Sequence, residues 1–231
     1  MPAFQTYLDP AVSLEGRLQE AFARHRVASE RQVGIGAFLS VLEVKDRSTY
    51  EHSVRVGLVA SRIGELMYLD AKALLYAGLL HDVGKALTRL PTLQKTADWT
   101  PEDAEEMRRH VTDSFRLLAG VFDFSADVVL WHHRFQMNGY PETMPEPLHG
   151  YSEGTRVMIA FYGRLLALAD CYDALHRVNS KFGAVSGEGI REKMLQFNPD
   201  QRRLIEELYA AGVLTVAVFP TQPAPVGLPA A

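Results

Sequence analysis

Along most of the chain, apolar positions recur at steps of three and four, the spacing that lines one face of an α-helix. From His52 to Leu69 the recurring set is Val56, Val59, Ala60, Ile63, Leu66 and Met67. Residues 71–87 are apolar on most sides, through Leu74, Leu75, Ala77, Leu79, Leu80 and Val83, which predicts a helix buried in the middle of a bundle. Thr100-Pro101-Glu102-Asp103 predicts a clean helix start. Thr100 suits the N-cap, Pro101 the first helical position, and the two acids favour the positive helix end. That helix is expected to run to Leu118. Further helices are expected over residues 125–135, 154–177, 187–196 and 199–211, with two more before His52, and residues 214–219 are the one strand candidate.

This pattern predicts an all-α fold, a compact single-domain helical bundle. Residues 1–44 would supply N-terminal helices packed on the core, 45–213 the main domain, and 214–231 a tail with four prolines between Pro220 and Ala231, expected to be mobile. Two stretches, 89–99 and 138–152, are long enough to be working loops.

Composition narrows the class. With 231 residues, 47% apolar and 23% charged, the chain can bury a proper core and is not disordered. A net charge of -4 argues against a broad basic face for a nucleic-acid polymer. One cysteine, Cys171, excludes an internal disulfide framework and fits a reducing compartment. With no long apolar run and no signal-peptide layout at MPAFQTYLDP, the expectation is a cytoplasmic protein without a membrane segment.

The chemistry concentrates in histidine and aspartate. His52, His81, His110 and the pair His132-His133 fall on four successive expected helices, and Asp82 and Asp170 join them in apolar surroundings. Imidazole and carboxylate together suit Fe, Mn, Zn or Ni, and a carboxylate can bridge two cations. Seven donors exceed what one tetrahedral ion takes and match two ions roughly 3.5–4 Å apart, as in two-metal hydrolytic sites. Lys85, four residues after His81 and three after Asp82, falls over the same helix face, where its ammonium suits an anionic substrate oxygen. Gly84 leaves room for close approach. The alternatives are structural: Lys85 as a C-terminal helix cap, Asp173 as either a ligand-orienting or a surface acid, Arg164 paired with Asp46 or another carboxylate, and Gly139-Tyr140-Pro141 as a plain turn with Gly139 at positive φ. His25, His149 and His176 are read as incidental, and Cys171 as a small buried hydrophobe.

Several stretches together resemble a known family. They are Lys45-Asp46-x-x-Thr49-x-x-His52-Ser53-x-Arg55-Val56, then Ala77-Gly-Leu-Leu-His81-Asp82-Val-Gly84-Lys85. His110, Trp131-His132-His133, Gly139-Tyr140-Pro141 and Arg164-x-x-Ala-x-Ala-Asp170-x-Tyr172-Asp173-Ala174-Leu175 follow in order. The chain resembles the HD superfamily of metal-dependent phosphohydrolases and, within it, the HD-GYP family of cyclic di-GMP phosphodiesterases. The resemblance implies that His52, His81, Asp82 and Asp170 hold one metal and that His110, His132 and His133 hold the other, with Asp82 bridging. It implies Asp82 and Lys85 as catalytic residues, Lys85 on the scissile phosphate, and a metal-bridging hydroxide as nucleophile. Substrate contacts would come from Lys85, Gly139, Tyr140 and Pro141.

Four places depart from the family pattern. Ser48 stands where some members carry a third-metal Glu, so two divalent ions are expected, Fe or Mn first, with Zn, Ni and Mg as alternatives. Arg134 replaces the usual acidic residue after the histidine pair, and the stretch to Gly139 is short. The segment from Pro141 to Arg164 is long, and His176-Arg177-Val-Asn-Ser-Lys181 stands in place of a basic-Pro-Tyr-Arg stretch. The leading expectation is hydrolysis of cyclic di-GMP to linear pGpG and on to GMP. The alternatives are another nucleotide or phosphoester substrate, or a non-catalytic signalling module. Expected partners are a cyclic dinucleotide or nucleotide, a signalling protein at the Gly139-Tyr140-Pro141 loop, and a second copy of the chain in a homodimer.

Overall fold

The computed structural model describes residues 12–176 and 186–215. Among these residues the fold is all-helical and has no strand. In chain order the helices are α1 (Leu14–Arg24), α2 (Ser29–Lys45), α3 (Arg47–Leu66), α4 (Ala71–Leu80), α5 (Leu90–Leu93), α6 (Pro101–Arg108), α7 (His110–Leu118), α8 (Asp123–Val129), α9 (Glu153–His176), α10 (Gly187–Phe197) and α11 (Arg202–Ala210). Tighter 3-10 turns run over Val83–Leu87 and Pro199–Gln201. No described helix is long and apolar enough to cross a membrane.

Helix starts follow from short polar side chains that take up otherwise unpaired N–H groups. Asp46 accepts from Thr49 N–H and Thr49 Oγ1–H, both at 2.8 Å, so α3 begins five residues before the expected His52. Asp70 caps α4 through Ala73 N–H, and Ser186 caps α10 through Gly189 N–H. Thr100 and Asp103 form the capping box anticipated for α6, with Pro101 opening the helix.

The core lies where α3, α4 and α9 meet, with α2 and α8 packed around them. Ile63, Leu74, Leu79, Leu80, Leu165 and Leu168 are fully buried there. Two glycines bring the α3 and α4 main chains together. A Cβ on Gly78 would stand 2.5 Å from Gly57 Cα, and one on Gly57 would stand 2.7 Å from Leu79 Cγ. The site therefore rests on helices whose backbones touch.

Three expected helices are shorter than their apolar pattern. The expected helix 71–87 stops at Leu80, the expected helix 101–118 breaks at Arg109, and the expected helix 125–135 spans Asp123–Val129. At each break a histidine turns back on the preceding turn. His81 Nδ1 bonds Gly78 O at 2.8 Å, His110 Nδ1 bonds Met107 O at 2.5 Å, and His132 Nδ1 bonds Val129 O at 2.5 Å. An imidazole occupying the carbonyl three residues back competes with the helical ladder and ends the regular turn. These histidines thus stand at helix ends and not along helix faces, which corrects the placement on four continuous helices.

Smaller corrections follow. The expected helix 199–211 opens with a 3-10 turn over Pro199–Gln201 before α11 begins at Arg202. Gly139 is not among the positive-φ glycines, which are Gly120 and Gly212. It is required instead because a Cβ there would lie 2.3 Å from Arg134 O. The 89–99 stretch carries α5 and is tied to α6 by the Arg89–Glu106 fork, Thr92 on Glu106, and Lys95 on Asp103, so it is a buttress and not an open loop. Of the strand candidate, Leu214 and Thr215 are not in a strand, and residues 216–219 with the rest of the proline-rich tail lie outside the described residues.

Candidate metal centre

The seven expected ligands converge on one point in the core. His52 comes from the second turn of α3, His81 and Asp82 from the turn after α4, and His110 from the first residue of α7. His132 and His133 follow α8, and Asp170 projects from α9. The ligand atoms of His52, His81 and Asp170 lie within 4.8 Å of one another, as do those of His110, His132 and His133, and those of His81, Asp82 and His132. Asp82 sits between the two outer sets. Its Oδ2 is 3.4 Å from His52 Nε2 and 3.2 Å from His81 Nε2, while its Oδ1 is 3.3 Å from His110 Nε2. Asp170 Oδ1 lies 3.1 Å from His52 Nε2 and 3.9 Å from His81 Nε2.

Hydrogen bonds behind the rings decide which nitrogens face inward. His52 Nδ1 is 2.7 Å from Asp173 Oδ2, and the Nδ1 atoms of His81, His110 and His132 face main-chain carbonyls. Carboxylate and carbonyl oxygens only accept, so each Nδ1 carries the proton and each Nε2 presents a lone pair to the centre. The Nε2 atoms of His81, His110 and His132, with Asp82 Oδ1, are buried and have no hydrogen-bond partner. Acceptors facing acceptors in a desolvated pocket are costly unless a cation sits among them. The residues present fit a metal.

Electrostatics agree. Burial lowers the His110 imidazole to about 4 and His132 to about 3, with Asp82 only partly opposing this at His110, so both are neutral ligands at pH 7. His133 is also held well below the usual imidazole range, first by burial and then by His132. Burial pushes the Asp82 carboxyl up, but His81 and Lys85 more than offset this and hold it well below the usual carboxylate range. Lys85 Nζ donates to Asp82 Oδ2 at 2.6 Å, which brings its ammonium to the edge of the cluster.

Close packing fixes the turn that carries His81, Asp82 and Lys85. Ser114 Oγ donates to His81 O at 2.8 Å and accepts Gly84 N–H at 2.9 Å. A Cβ on Gly84 would stand 2.1 Å from His110 O, so only glycine lets this turn reach α7. On the open side the Tyr140 ring stacks on His133 at 4.6 Å, and the Arg108 guanidinium lies 5.9 Å over that same ring. Arg134 donates to Pro141 O at 2.6 Å, closing the short link across Gly139-Tyr140-Pro141. Tyr140 therefore borders the cluster, whereas Gly139 and Pro141 shape the loop that carries it.

The HD domain family model matches residues 49–175, more than half of the chain. This chain belongs to the HD domain family. Among curated relatives of this HD domain, a cyclic di-GMP phosphodiesterase of Thermotoga maritima is 32% identical over 141 residues, covering 58% of this chain and 36% of the relative. A cyclic di-GMP phosphodiesterase of Pseudomonas aeruginosa is 30% identical over 194 residues, covering 80% and 44%. A 3'3'-cGAMP-specific phosphodiesterase of Vibrio cholerae is 27% identical over 173 residues, covering 71% and 38%. The HD domain thus spans well under half the length of these relatives. Among solved structures, the HD domain of L. monocytogenes phosphodiesterase PgpH aligns with a TM-score of 0.53 at 16% identity, over 76% of this chain and 91% of that one, a likeness of fold. HD-domain phosphohydrolases are metal-dependent, and this chain has His/Asp clusters that could hold metal ions.

Two residues that complete the site, Arg55 and Gln136, carried no role in the sequence, and two open alternatives, at Asp173 and Arg164, are decided by their partners. Arg55 forks onto Asp173, Nε to Oδ1 at 2.6 Å and an Nη to Oδ2 at 3.1 Å, and Asp173 holds His52. Asp173 is therefore a buried orienting acid and not a surface one. The Gln136 amide lies 2.7 Å from His133 Nδ1. Arg164 pairs with Asp200 and Asn198 rather than Asp46. An Arg and an Asp one turn from the expected ligands, His52-x-x-Arg55 and Asp170-x-x-Asp173, were the available signal.

Proposed function

We propose that residues 45–213 form a metal-dependent phosphodiesterase that opens cyclic di-GMP to linear pGpG and carries it on to GMP. One observation bears most of the weight: a single buried carboxylate, Asp82, offers one oxygen to each of two outer His/Asp sets. That layout favours two divalent ions, one among His52, His81 and Asp170 and one among His110, His132 and His133. Iron or manganese suits this imidazole-rich, thiolate-free donor set best, and zinc, nickel or magnesium are the alternatives. Such a pair of cations supplies a nucleophile from water at neutral pH and stabilises charge on the phosphoryl oxygens.

The chain's own residues account for the rest. Lys85 holds a phosphate oxygen by exchanging its contact with Asp82 for the substrate. Tyr140, braced on His133, offers a flat aromatic wall beside the cluster, suited to a purine ring. Gly139 and Pro141 set the position of that wall. The relatives' activities on cyclic dinucleotides support the substrate class, and the Vibrio cholerae relatives make 3'3'-cGAMP the second substrate to test. The proposal includes a signalling-protein partner at the Gly139-Tyr140-Pro141 loop, a homodimer, and a cytoplasmic setting in keeping with the free Cys171.

The test is anaerobic purification, elemental analysis, and chromatography of products from cyclic di-GMP, 3'3'-cGAMP and a panel of phosphomonoesters. Linear pGpG from metal-loaded protein is the expected result. Turnover of the monoesters with both cyclic dinucleotides intact would replace this substrate with another phosphoester.

A further inference from the structure

The two ends of the cluster are supported in different ways, and this difference has consequences for metal occupancy. Around His52 and Asp170 charge is present, while His81 rests on the neutral Gly78 carbonyl. Asp170 is itself a carboxylate, and His52 rests on Asp173, which Arg55 grips through both oxygens. Around His110, His132 and His133 the three rings rest on a Met107 carbonyl, a Val129 carbonyl and the Gln136 amide. Among the described residues, that end has no carboxylate of its own beyond its share of Asp82. A divalent ion gains more from an anionic donor set than from neutral imidazoles alone, and a carboxylate behind a ligand histidine raises that ligand's basicity.

Resting on the reading of the cluster as a dinuclear centre, we propose that Arg55, acting through Asp173 and His52, makes the Asp170 end the tighter of two unequal metal positions. Arg55 is a positioning residue here. Asp173 is 1% exposed, and a carboxylate so deeply buried keeps its charge and its aim only with a hydrogen-bonded partner. The planar fork of Arg55 meets both oxygens at once, leaving Oδ2 directed at His52 Nδ1. Loss of the fork frees Asp173 to turn or to take a proton, and His52 then loses the acceptor that orients its ring. Glu51 also lies near Arg55, at 3.9 Å, too far to replace Asp173 as its anchor. Lys85 opposes the ion at the Asp170 end, because its ammonium sits on Asp82 Oδ2. The proposal requires the charges of Asp82 and Asp170 together to outweigh it.

The test is a metal titration of the full chain after chelation, with manganese as the probe and calorimetry as the readout, so that activity plays no part. Wild type should show two classes of site. Arg55→Met should weaken the tighter class by about 10–100-fold and leave the weaker class within about threefold. Arg55→Lys, which keeps the charge without the fork, should recover part of the loss. Asp173→Asn preserves shape and covers the case in which Arg55→Met fails to fold; it should weaken the tighter class in the same selective way. Two equal classes in wild type, or variants that weaken both classes alike, would overturn the proposal while leaving the dinuclear centre in place. Wild type that takes up no manganese, iron or zinc would overturn the dinuclear centre and this proposal together.

Discussion

The Asp170 end and the His110 end of the cluster both use histidine and meet on the same central carboxylate, yet they bear burial differently. At the Asp170 end of the metal-free pocket, a doubly protonated His52 is the main partner that holds the Asp170 carboxyl well below its usual range against the cost of burial. At the His110 end, burial first and neighbouring positive charge second push imidazoles towards neutrality, down to about 4 for His110 and about 3 for His132. The first arrangement depends on keeping partners together, and the second depends on keeping water and protons out. A dinuclear pocket can thus be assembled from one half that is electrostatically tied and one half that is merely dry.

The most severe way to break this comparison is to remove the residue common to both halves. Asp82→Ala should lower cyclic di-GMP turnover by about a thousandfold, roughly 4 kcal/mol of transition-state stabilisation, and release metal from both ends. Activity within tenfold of wild type would mean that the halves do not share a bridge.

Acid separates them next. In the chelated protein, unfolded histidines take up protons near 6.5 whereas folded His110 does so only near 4 and His132 only near 3. The unfolded state therefore binds more protons between these values, and stability falls as pH drops from about 6.5 towards 4. Asp82 and Asp170 have depressed carboxyls, so their contribution is present above the ordinary carboxylate value of 3.8 and is lost only on further acidification. Thermal melts against pH should show the histidine loss first; a melting point flat between pH 7 and 4.5 would contradict the dry half.

Two substitutions then probe the turn that joins the halves. Gly84→Ala forces a methyl group against His110 O and should cost about 3 kcal/mol, read by urea unfolding. Ser114→Ala leaves buried Gly84 N–H without its acceptor and His81 O without its donor, at about 2 kcal/mol. An unchanged denaturation midpoint in either variant would show that the turn is held by other means.

Helix interiors were legible in the sequence because burial leaves a periodic trace: Val56, Val59, Ala60 and Ile63 are all buried on α3 as their spacing implies. Helix ends at the site were not. The apolar pattern continues through Val83 after α4 has stopped, and nothing in the letters says that His81 will take Gly78 O. The start of α3 was legible in principle, since Asp46 and Thr49 stand at capping distance, but that pair read first as part of a motif. All seven expected ligand residues come together, because chemistry-bearing types are few and their order is informative. Arg55 and Asp173 are harder to see, since an arginine and an aspartate 118 positions apart show no spacing rule for a contact made only in three dimensions.

The touching main chains at Gly57 and Gly78 have a further effect on what the pocket can hold. Gly78 meets α3 and also lends its carbonyl to His81, while His52 rides on α3 five residues before Gly57. The spacing of the two main chains that carry those donors is thereby set by direct backbone contact. An ion of different radius must be accommodated from α9, through Asp170, and efforts to retune selectivity should begin on that helix rather than on the glycine-locked pair.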